Sequence, residues 1–476
     1  MRKIVASLAL ILMSWPLIAY AQGGGAALEN VAKAMGASGL KSIEYSGTGE
    51  TYSVGQTVTP GKPWPRFTLK SYTQAANYET ASLRRDQVVV RVDVRGGGVP
   101  AMGEARQIVV VSGDHAWTVA GETASPQPRF RTEQQLQLWA TPHGVVKAAM
   151  ANNATVEGRT ITFAVPGRFT AKATVDDQNL VTRVEAVYSN QVVGDMPVEV
   201  TYSDYRDFGG VKFPTKIKQS AGGFPALDLT VSEVTPNAPV DIAVPDPVRQ
   251  NPNPFAKVTS QAVAEGIWYL TGGSHHSVAI EMKDHVIVVE APLDDTRALA
   301  VIGEVRSLVP AKPIRYVVNS HQHFDHAGGV RAYAAEGVTV ITHETNRAFW
   351  EAAMAAPARI SPDHLAKSGR KGTVEGVRDK KVLTDGTRTV EVHHMTASPH
   401  EDGMLMVYLP AEKLLSQADA FTPGPPNAPP PAVVNPSSVN LAENIRRLRL
   451  DVDRLLPLHG RMVPLAELHK AIGQAP

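Results

Sequence analysis

The feature that most constrains the fold is a proline-rich stretch, residues 245–254, at which the hydrophobic pattern of the chain changes. Four prolines in ten positions and no apolar periodicity are typical of an extended linker. Before it, β-branched residues alternate at period two, and after it strand patterns alternate with helical ones. A chain of 476 residues is long enough for two domains with separate cores. We therefore expect a β-rich domain over residues 22–244, the linker over 245–254 and an α/β-patterned domain over 255–476.

The N-terminal pattern predicts a short helix followed by a sheet. Leu28, Val31 and Met35 recur on one helical face, and Gly36 is placed to end that helix. Strands are predicted over residues 87–95, 106–111, 155–165, 180–188, 198–202 and 227–234, with one helix over 134–152. Residues 204–217 have the pattern of a hairpin with a Gly-Gly turn. This order resembles the incomplete β-barrel domains of periplasmic lipoprotein carriers, and a plain structural sheet accounts for it nearly as well.

The first residues have the composition of a secretory signal peptide. Arg2 and Lys3 precede an apolar run that ends near Ile18, and residues 19–21 fit the small-residue cleavage rule. The run is shorter than the roughly 20 apolar residues of a membrane-spanning helix. We therefore expect cleavage after residue 21, no stable membrane anchor, and a mature protein that is periplasmic or secreted.

Charge and cysteine content exclude several classes of function. The 47 basic and 46 acidic residues give a formal charge of +1, which provides no field for holding nucleic acid. The expected partner is therefore a small-molecule substrate. The chain has no cysteine, so it forms no disulfide, and any bound metal must be held by nitrogen and oxygen.

Candidate metal ligands concentrate in one turn of the second domain. His321, His323, Asp325 and His326 lie within six residues, directly after a predicted strand over residues 315–319. Nitrogen and carboxylate donors at the end of a strand suit zinc, iron or manganese. Because four potential ligands share one turn, the pattern favours a metal site over four separate structural side chains.

The spacing H-x-H-x-D-H resembles the signature of the metallo-β-lactamase superfamily, and the resemblance covers residues 266–469. It implies an αββα sandwich, in which two facing sheets carry helices outside and the site at one edge. His400 before an acidic turn, Asp419 at a strand end and His459 before a glycine match further ligands of that family. The resemblance implies that His321, His323 and His400 hold one metal ion, that Asp325, His326 and His459 hold a second, and that Asp419 bridges the two.

The expected cofactors are two divalent metal ions, with zinc favoured over manganese or iron. At such centres a bridging water loses its proton near neutral pH, and open coordination positions polarise a carbonyl or phosphoryl oxygen. Asp325 is the predicted catalytic residue, since its carboxylate can bind metal and orient the hydroxide. We expect an exported metal-dependent hydrolase that cleaves an ester, thioester, lactone or related bond. The alternatives are β-lactamase activity and a non-enzymatic carrier of an envelope ligand.

Other residues near the predicted site depart from the family pattern or have two interpretations. Glu290 stands at the strand end where the family usually has an aspartate. His275 and His276 lie in a hairpin that the family places beside the site, so they are candidate substrate-binding residues, with a simple polar turn as the alternative. The proline-rich residues 423–436 indicate a loop over a functional face or a mobile surface loop.

Overall fold

The computed structural model describes residues 19–474 of the chain. Residues 1–18 of the predicted signal peptide lie outside the described residues, and residues 19–21 belong to the first helix. In the part that is described, we find no helix with the length and apolar character needed to cross a membrane.

The N-terminal half is built on one antiparallel sheet of 13 strands. The strands are β1 (Ser42–Tyr52), β2 (Arg66–Asn77), β3 (Ser82–Arg91), β4 (Glu104–Ser112), β5 (His115–Ala120), β6 (Thr123–Pro126), β7 (Thr155–Glu157), β8 (Thr160–Val165), β9 (Phe169–Val175), β10 (Val181–Asn190), β11 (Gly194–Phe208), β12 (Val211–Ala221) and β13 (Phe224–Pro236). The first and last strands pair at the middle of the sheet, while β6 and β7 form its two edges. The sheet is therefore continuous but open, as expected for an incomplete barrel.

Three helices pack on the core of this sheet: α1 (Ala19–Met35), α2 (Arg131–Trp139) and α3 (Pro142–Ala151). The first ends at Gly36 as predicted, where a β-carbon would lie 2.1 Å from the Gly210 carbonyl oxygen. The single helix predicted over residues 134–152 is wrong, because the chain breaks at Thr141 and Pro142. The Thr141 hydroxyl caps α3 by accepting from the Gly144 amide, and Pro142 takes the first helical position, where its missing amide hydrogen is tolerated.

The proline-rich stretch is not extended throughout, in contrast to the prediction. Its residues Asp246–Gln250 form a short helix, α4, with a proline in the first turn. Val248 is 1% exposed and packs with Ile108, Val110 and Trp117 of the sheet. The segment between the two halves is therefore anchored to the N-terminal half by its own apolar contact.

The C-terminal half consists of two facing sheets. The first contains β14 (Thr259–Ala264), β15 (Ile267–Thr271), β16 (Ser277–Glu281), β17 (Val286–Val289), β18 (Ile314–Val318), β19 (Thr339–His343) and β20 (Thr373–Val377). The second contains β21 (Lys380–Thr384), β22 (Thr389–His394), β23 (Leu405–Leu409), β24 (Leu414–Gln417), β25 (Arg454–Pro457) and β26 (Val463–Pro464). Apolar side chains of both sheets, including Ile287, Val318, Val407 and Leu456, share one buried cluster between them.

Helices cover the outer faces of both sheets. They are α5 (Asp295–Leu308), α6 (Phe324–Ala327), α7 (Val330–Ala335), α8 (Glu344–Ala355), α9 (His364–Ser368), α10 (Pro436–Leu448) and α11 (Leu465–Ala471). Val301, Tyr333 and Trp350 bury helical surface against the first sheet, and Leu441 and Leu468 do so against the second. This is the αββα sandwich that the motif implied.

Candidate metal centre

The predicted ligands come together at one edge of the sandwich, because each follows the end of a strand. The turn after β18 carries the motif, with Asp325 and His326 inside the one-turn helix α6. His400 lies in the turn between β22 and β23, and Asp419 and His459 follow the parallel strands β24 and β25. Strands that run in the same direction end at the same edge, which brings ligands far apart in sequence onto one site.

The ligand atoms form two adjacent groups, and the Asp419 carboxylate of the first also contacts a histidine of the second. In the first group His323 Nδ1 lies 2.9 Å from His400 Nε2, and in the second His326 Nε2 lies 2.9 Å from His459 Nε2. Asp419 Oδ2 is 2.9 Å from His400 Nε2, and its Oδ1 is 3.0 Å from His459 Nε2. Four potential ligand atoms lie within 4.8 Å of one another in each of two groups: His321, His323, His400 and Asp419; and His275, Asp325, His326 and His459.

The buried imidazoles have the hydrogen-bonding pattern of metal ligands. The Nδ1 atom of His321 is 2.9 Å from the Ser320 hydroxyl, whereas its buried Nε2 has no hydrogen-bond partner among the described residues. His459 Nδ1 donates to the Ser274 carbonyl, so its Nε2 faces the cluster. An outer hydrogen bond that fixes the tautomer and leaves the other nitrogen free is what a metal-bound histidine requires. These donors fit a bound metal.

Glu290 is a buried residue that contacts the motif and the residues just before it. Its side chain is fully buried, and it accepts hydrogen bonds from the Asn319 amide group at 2.9 Å and from the Ser320 hydroxyl. Its Oε2 is also 3.3 Å from His326 Nδ1. The glutamate that stands in place of the usual aspartate therefore holds Ser320, whose hydroxyl contacts His321, and its carboxylate lies beside the imidazole of His326.

Burial and mutual charge keep the pKa values of three candidate ligands, His321, His323 and Asp419, in the range that favours the metal-binding form. Burial lowers the pKa of His321 to about 4, and it lowers the pKa of His323 well below its usual range. Burial alone would raise the pKa of Asp419, but the facing imidazoles hold it well below the usual range. His326 is the exception: burial opposes protonation, yet the Asp419 and Asp325 charges raise its pKa well above normal. Metal binding at this residue must displace a proton.

Two loops of the N-terminal half, residues 53–65 and 92–103, complete the centre, although no motif or spacing indicated them. Gln56 donates from Nε2 to Asp325 Oδ1 at 2.7 Å, while its Oε1 accepts from the Gly98 amide at 3.0 Å. The Thr57 carbonyl accepts from His323 Nε2 at 2.9 Å, which leaves Nδ1 of that ring facing His400. The tautomer of one predicted ligand is therefore fixed by the other half of the chain.

The second loop, residues 92–103 between β3 and β4, approaches the same ligands. A β-carbon at Gly97 would lie 2.8 Å from His323 Nδ1, so only glycine fits there without displacement. Next to it, the Gly96 amide donates to the Pro399 carbonyl at 2.9 Å. The Arg95 guanidinium donates to the Ser398 carbonyl at 3.1 Å, beside His400. The N-terminal half thus contacts the turn that carries His400 as well as the motif.

The two hairpin histidines are placed differently from each other. His275 is 5% exposed, and its Nε2 lies 3.3 Å from Asp325 Oδ2 within the second ligand group. His276 points elsewhere: it donates to the Gly460 carbonyl at 2.7 Å, packs edge-on against Tyr269, and does not line the cavity described below. His275 therefore lies with the ligands, and His276, against expectation, is turned away from the substrate side.

A cavity of about 1360 Å³ opens from the centre toward the N-terminal half. His275, Asp325, His400, Asp419 and His459 form its floor. Residues of the predicted proline-rich loop contribute to its rim, as do both loops of the N-terminal half. Several of the candidate metal ligands thus face a chamber whose walls come from both halves.

Comparison with known proteins agrees with the fold of the C-terminal half. Residues 270–459 match the family model of the metallo-beta-lactamase superfamily, and this part of the chain belongs to that superfamily. Over 203 residues the chain is 27% identical to the 2,4-dinitroanisole O-demethylase subunit alpha of Nocardioides sp. (strain JS1661). That alignment covers 42% of this chain, and the chain spans 57% of the relative's length.

Two solved structures have similar folds. A metallo-beta-lactamase from Pontibacter korlensis is 16% identical, with a TM-score of 0.36, and the match covers 46% of this chain and 98% of that one. The metallo-beta-lactamase FIM-1 of Pseudomonas aeruginosa, in its mono-zinc form, is 18% identical, with a TM-score of 0.35 and coverage of 45% and 93%.

Proposed function

We propose that the protein is an exported metal-dependent hydrolase that binds two divalent ions, preferentially zinc, and cleaves an ester, thioester, lactone or related bond. The observation that carries the proposal is the pair of adjacent ligand groups that face one cavity, with the Asp419 carboxylate in contact with histidines of both. Two bound cations would lower the pKa of a coordinated water and polarise the oxygen of the bond to be cleaved.

The chain's own residues have separate tasks in this proposal. His321, His323 and His400 would hold the first ion, and Asp325, His326 and His459 the second. Asp419 touches both groups, so its carboxylate would set the separation of the ions and offset part of their repulsion. Asp325, which contacts Gln56 and His275, would also orient a water bound at the centre through its carboxylate.

One relative supports a second candidate. The O-demethylase subunit is named for removing the methyl group of an aryl ether, 2,4-dinitroanisole, and its similarity covers 203 residues of this chain. Cleavage of an activated aryl ether is therefore worth testing beside carboxylic esters. Hydrolysis of a β-lactam is a third candidate activity to be tested, because the family includes such enzymes.

The test uses the purified mature chain, with metal content measured by elemental analysis. It is assayed with a p-nitrophenyl ester, a thioester, a lactone, a chromogenic cephalosporin, a phosphodiester and 2,4-dinitroanisole. We expect close to two metal ions per chain, and turnover of at least one ester-type substrate that a chelator abolishes and zinc restores. A metal-free protein, or turnover that is insensitive to chelation, would overturn the proposal. Cleavage of the aryl ether alone would establish the second candidate instead.

Localisation is tested separately. Cell fractionation of the natural host, with N-terminal sequencing of the recovered protein, should find a chain that begins near Gln22 outside the cytoplasm. Recovery of the full-length chain from the cytoplasm would contradict export without affecting the hydrolase proposal.

A further inference from the structure

The wall that the N-terminal half contributes to the cavity is positively charged. Its charged residues are four arginines and one glutamate: Arg85, Arg91, Arg129, Arg131 and Glu133. Burial raises the pKa of Glu133, and the nearby charges of Arg85 and Arg129 oppose that shift. Apart from the ligand carboxylates at the floor, the chamber thus presents cations to whatever enters it.

The arginines differ in how well the protein satisfies them. Arg91 is structural, because its guanidinium donates to backbone carbonyls of four residues of the second loop and its flanks. Arg131 lies 4.0 Å from the Asp114 carboxylate. Arg85 and Arg129 form no ion pair with any described residue, and the Nε atom of each is buried without a hydrogen-bond partner.

Neither arginine has a carboxylate within ion-pair distance among the described residues, and Glu133 is the acidic residue of this wall whose charge acts on both. Partly buried guanidinium groups without a direct counter-ion are favourable positions for an anionic ligand. Arg85 is held on β3, and Arg129 lies in the turn Pro128–Phe130, where its guanidinium carbon is 4.5 Å from the centre of the Phe130 ring. Stacking on an aromatic face fixes the plane of a guanidinium and leaves its edge free to bind a carboxylate. The Arg129 guanidinium is therefore positioned before any ligand arrives, and the Arg85 backbone is held by the sheet.

The mouth of the same cavity is apolar. Val94 and Val99 are 87% and 69% exposed, and both line the opening together with Val92 and Met102. Large apolar side chains that are exposed together at a cavity rim mark a binding surface for an apolar group. A ligand that is complementary to both the apolar mouth and the arginines of the wall therefore has an apolar portion and an anionic portion.

We propose that Arg85 and Arg129 form a carboxylate-binding subsite, and that the substrate is an organic anion whose scissile bond lies at the metal centre. The inference rests on the proposed function for the position of the scissile bond, but the subsite itself rests on the two unpaired arginines. In the reaction, water adds to the ester carbonyl carbon, the carbon–oxygen bond to the leaving group breaks, and an acid and an alcohol or phenol result. The arginines take no part in these bond changes and act on binding.

The kinetic test compares two esters of the same length. Mono-p-nitrophenyl suberate carries a free carboxylate, and its methyl ester is neutral. The parent should prefer the anionic ester. Arg85→Gln and Arg129→Gln should each lower kcat/KM for it by about 10- to 100-fold, the loss typical of a charge-assisted hydrogen bond. For the neutral ester, the kcat/KM of each variant should stay within about threefold of the parental value, because this ester has no charged group that could bind at the subsite. Arg183→Gln, on the exposed face of β10, is the matched control.

A binding measurement separates this inference from the proposed function. Calorimetric titration of the chelator-treated protein with suberate reports on the arginines without any turnover. We expect suberate to bind the parent, to bind both Gln variants at least about tenfold more weakly, and to bind Arg129→Lys at an intermediate strength. If the parent binds suberate but cleaves neither ester, the subsite stands and the ester hypothesis fails. If suberate does not bind, or if both esters lose activity equally in the variants, the subsite is refuted.

Discussion

Gly97→Ala tests whether the N-terminal half is part of the metal centre. Gly97 does not adopt a left-handed conformation, so alanine is compatible with its backbone and only the new methyl group matters. That methyl would lie 2.0 Å from Gln56 Oε1 and 2.7 Å from His323 Cε1. Gln56 must therefore move, His323 must tilt, or the second loop must lift from the centre.

The magnitude follows from these contacts. Overpacking by one methyl in a tight site costs about 1–3 kcal/mol, which corresponds to roughly 5- to 150-fold in an equilibrium constant. Moving Gln56 also loosens Asp325, and disturbing an outer hydrogen-bond partner weakens metal binding by about 10- to 100-fold. We expect Gly97→Ala to weaken binding of at least one ion by about 10- to 100-fold, with the fold intact.

The assay is competition for zinc against a chromogenic chelator, with circular dichroism on the same samples. Gly303→Ala is the matched control, because it makes the same change within α5, where a β-carbon meets nothing within 4 Å. If Gly97→Ala retains parental zinc affinity, the loop does not press on His323 in solution, and the second loop has no role in holding the site.

The remaining predictions concern single side chains. Asp419→Ala should lower turnover by about 10²–10³-fold and release one metal ion, whereas the turnover of His393→Ala, outside the ligand set, should stay within a few-fold of the parental value. Both variants are measured by steady-state kinetics and elemental analysis. Near-parental turnover of Asp419→Ala would refute a shared carboxylate. Glu290→Gln should weaken zinc binding by about 10- to 100-fold in the same chelator competition, and an unchanged affinity would deny its outer-layer role. His143, whose pKa burial lowers to about 4, takes up its proton more readily when unfolded, so it removes about 2 kcal/mol of stability between pH 7 and pH 5. His143→Gln should make the urea midpoint less sensitive to that pH change, and an equal pH response in parent and variant would contradict it.

Much of the candidate site could be predicted because its residues are marked locally. The motif places four donors in one turn, and His400, Asp419 and His459 each follow a strand pattern in the expected order. The contributions of Gln56 and Thr57 could not be predicted. They lie in an irregular loop between β1 and β2, and they meet partners more than 260 residues away. Nothing in the local pattern of a loop encodes so distant a contact.

The fold was predicted unevenly for a similar reason. In the C-terminal half, short strands rich in β-branched residues stand out as apolar runs, and the strand predicted over residues 315–319 lies within one residue of β18. In the N-terminal half, β1 and β2 contain Gly47, Gly49 and many polar residues, and they were missed. Gly47 and Gly49 lie against the β13 backbone, where a side chain would meet a carbonyl oxygen at about 2 Å. Packing of this strand requires residues that carry little strand propensity.

The Thr57 carbonyl that accepts from His323 has a thermodynamic consequence for the whole molecule. A ligand that binds one arrangement more tightly than another stabilises that arrangement by the same free energy. Since the ring is set for metal only when the two halves are in contact, metal ions must in turn strengthen that contact. Loss of metal should therefore loosen the junction between the halves before either half unfolds, and the acceptor, being a backbone atom, would persist through any side-chain change at position 57.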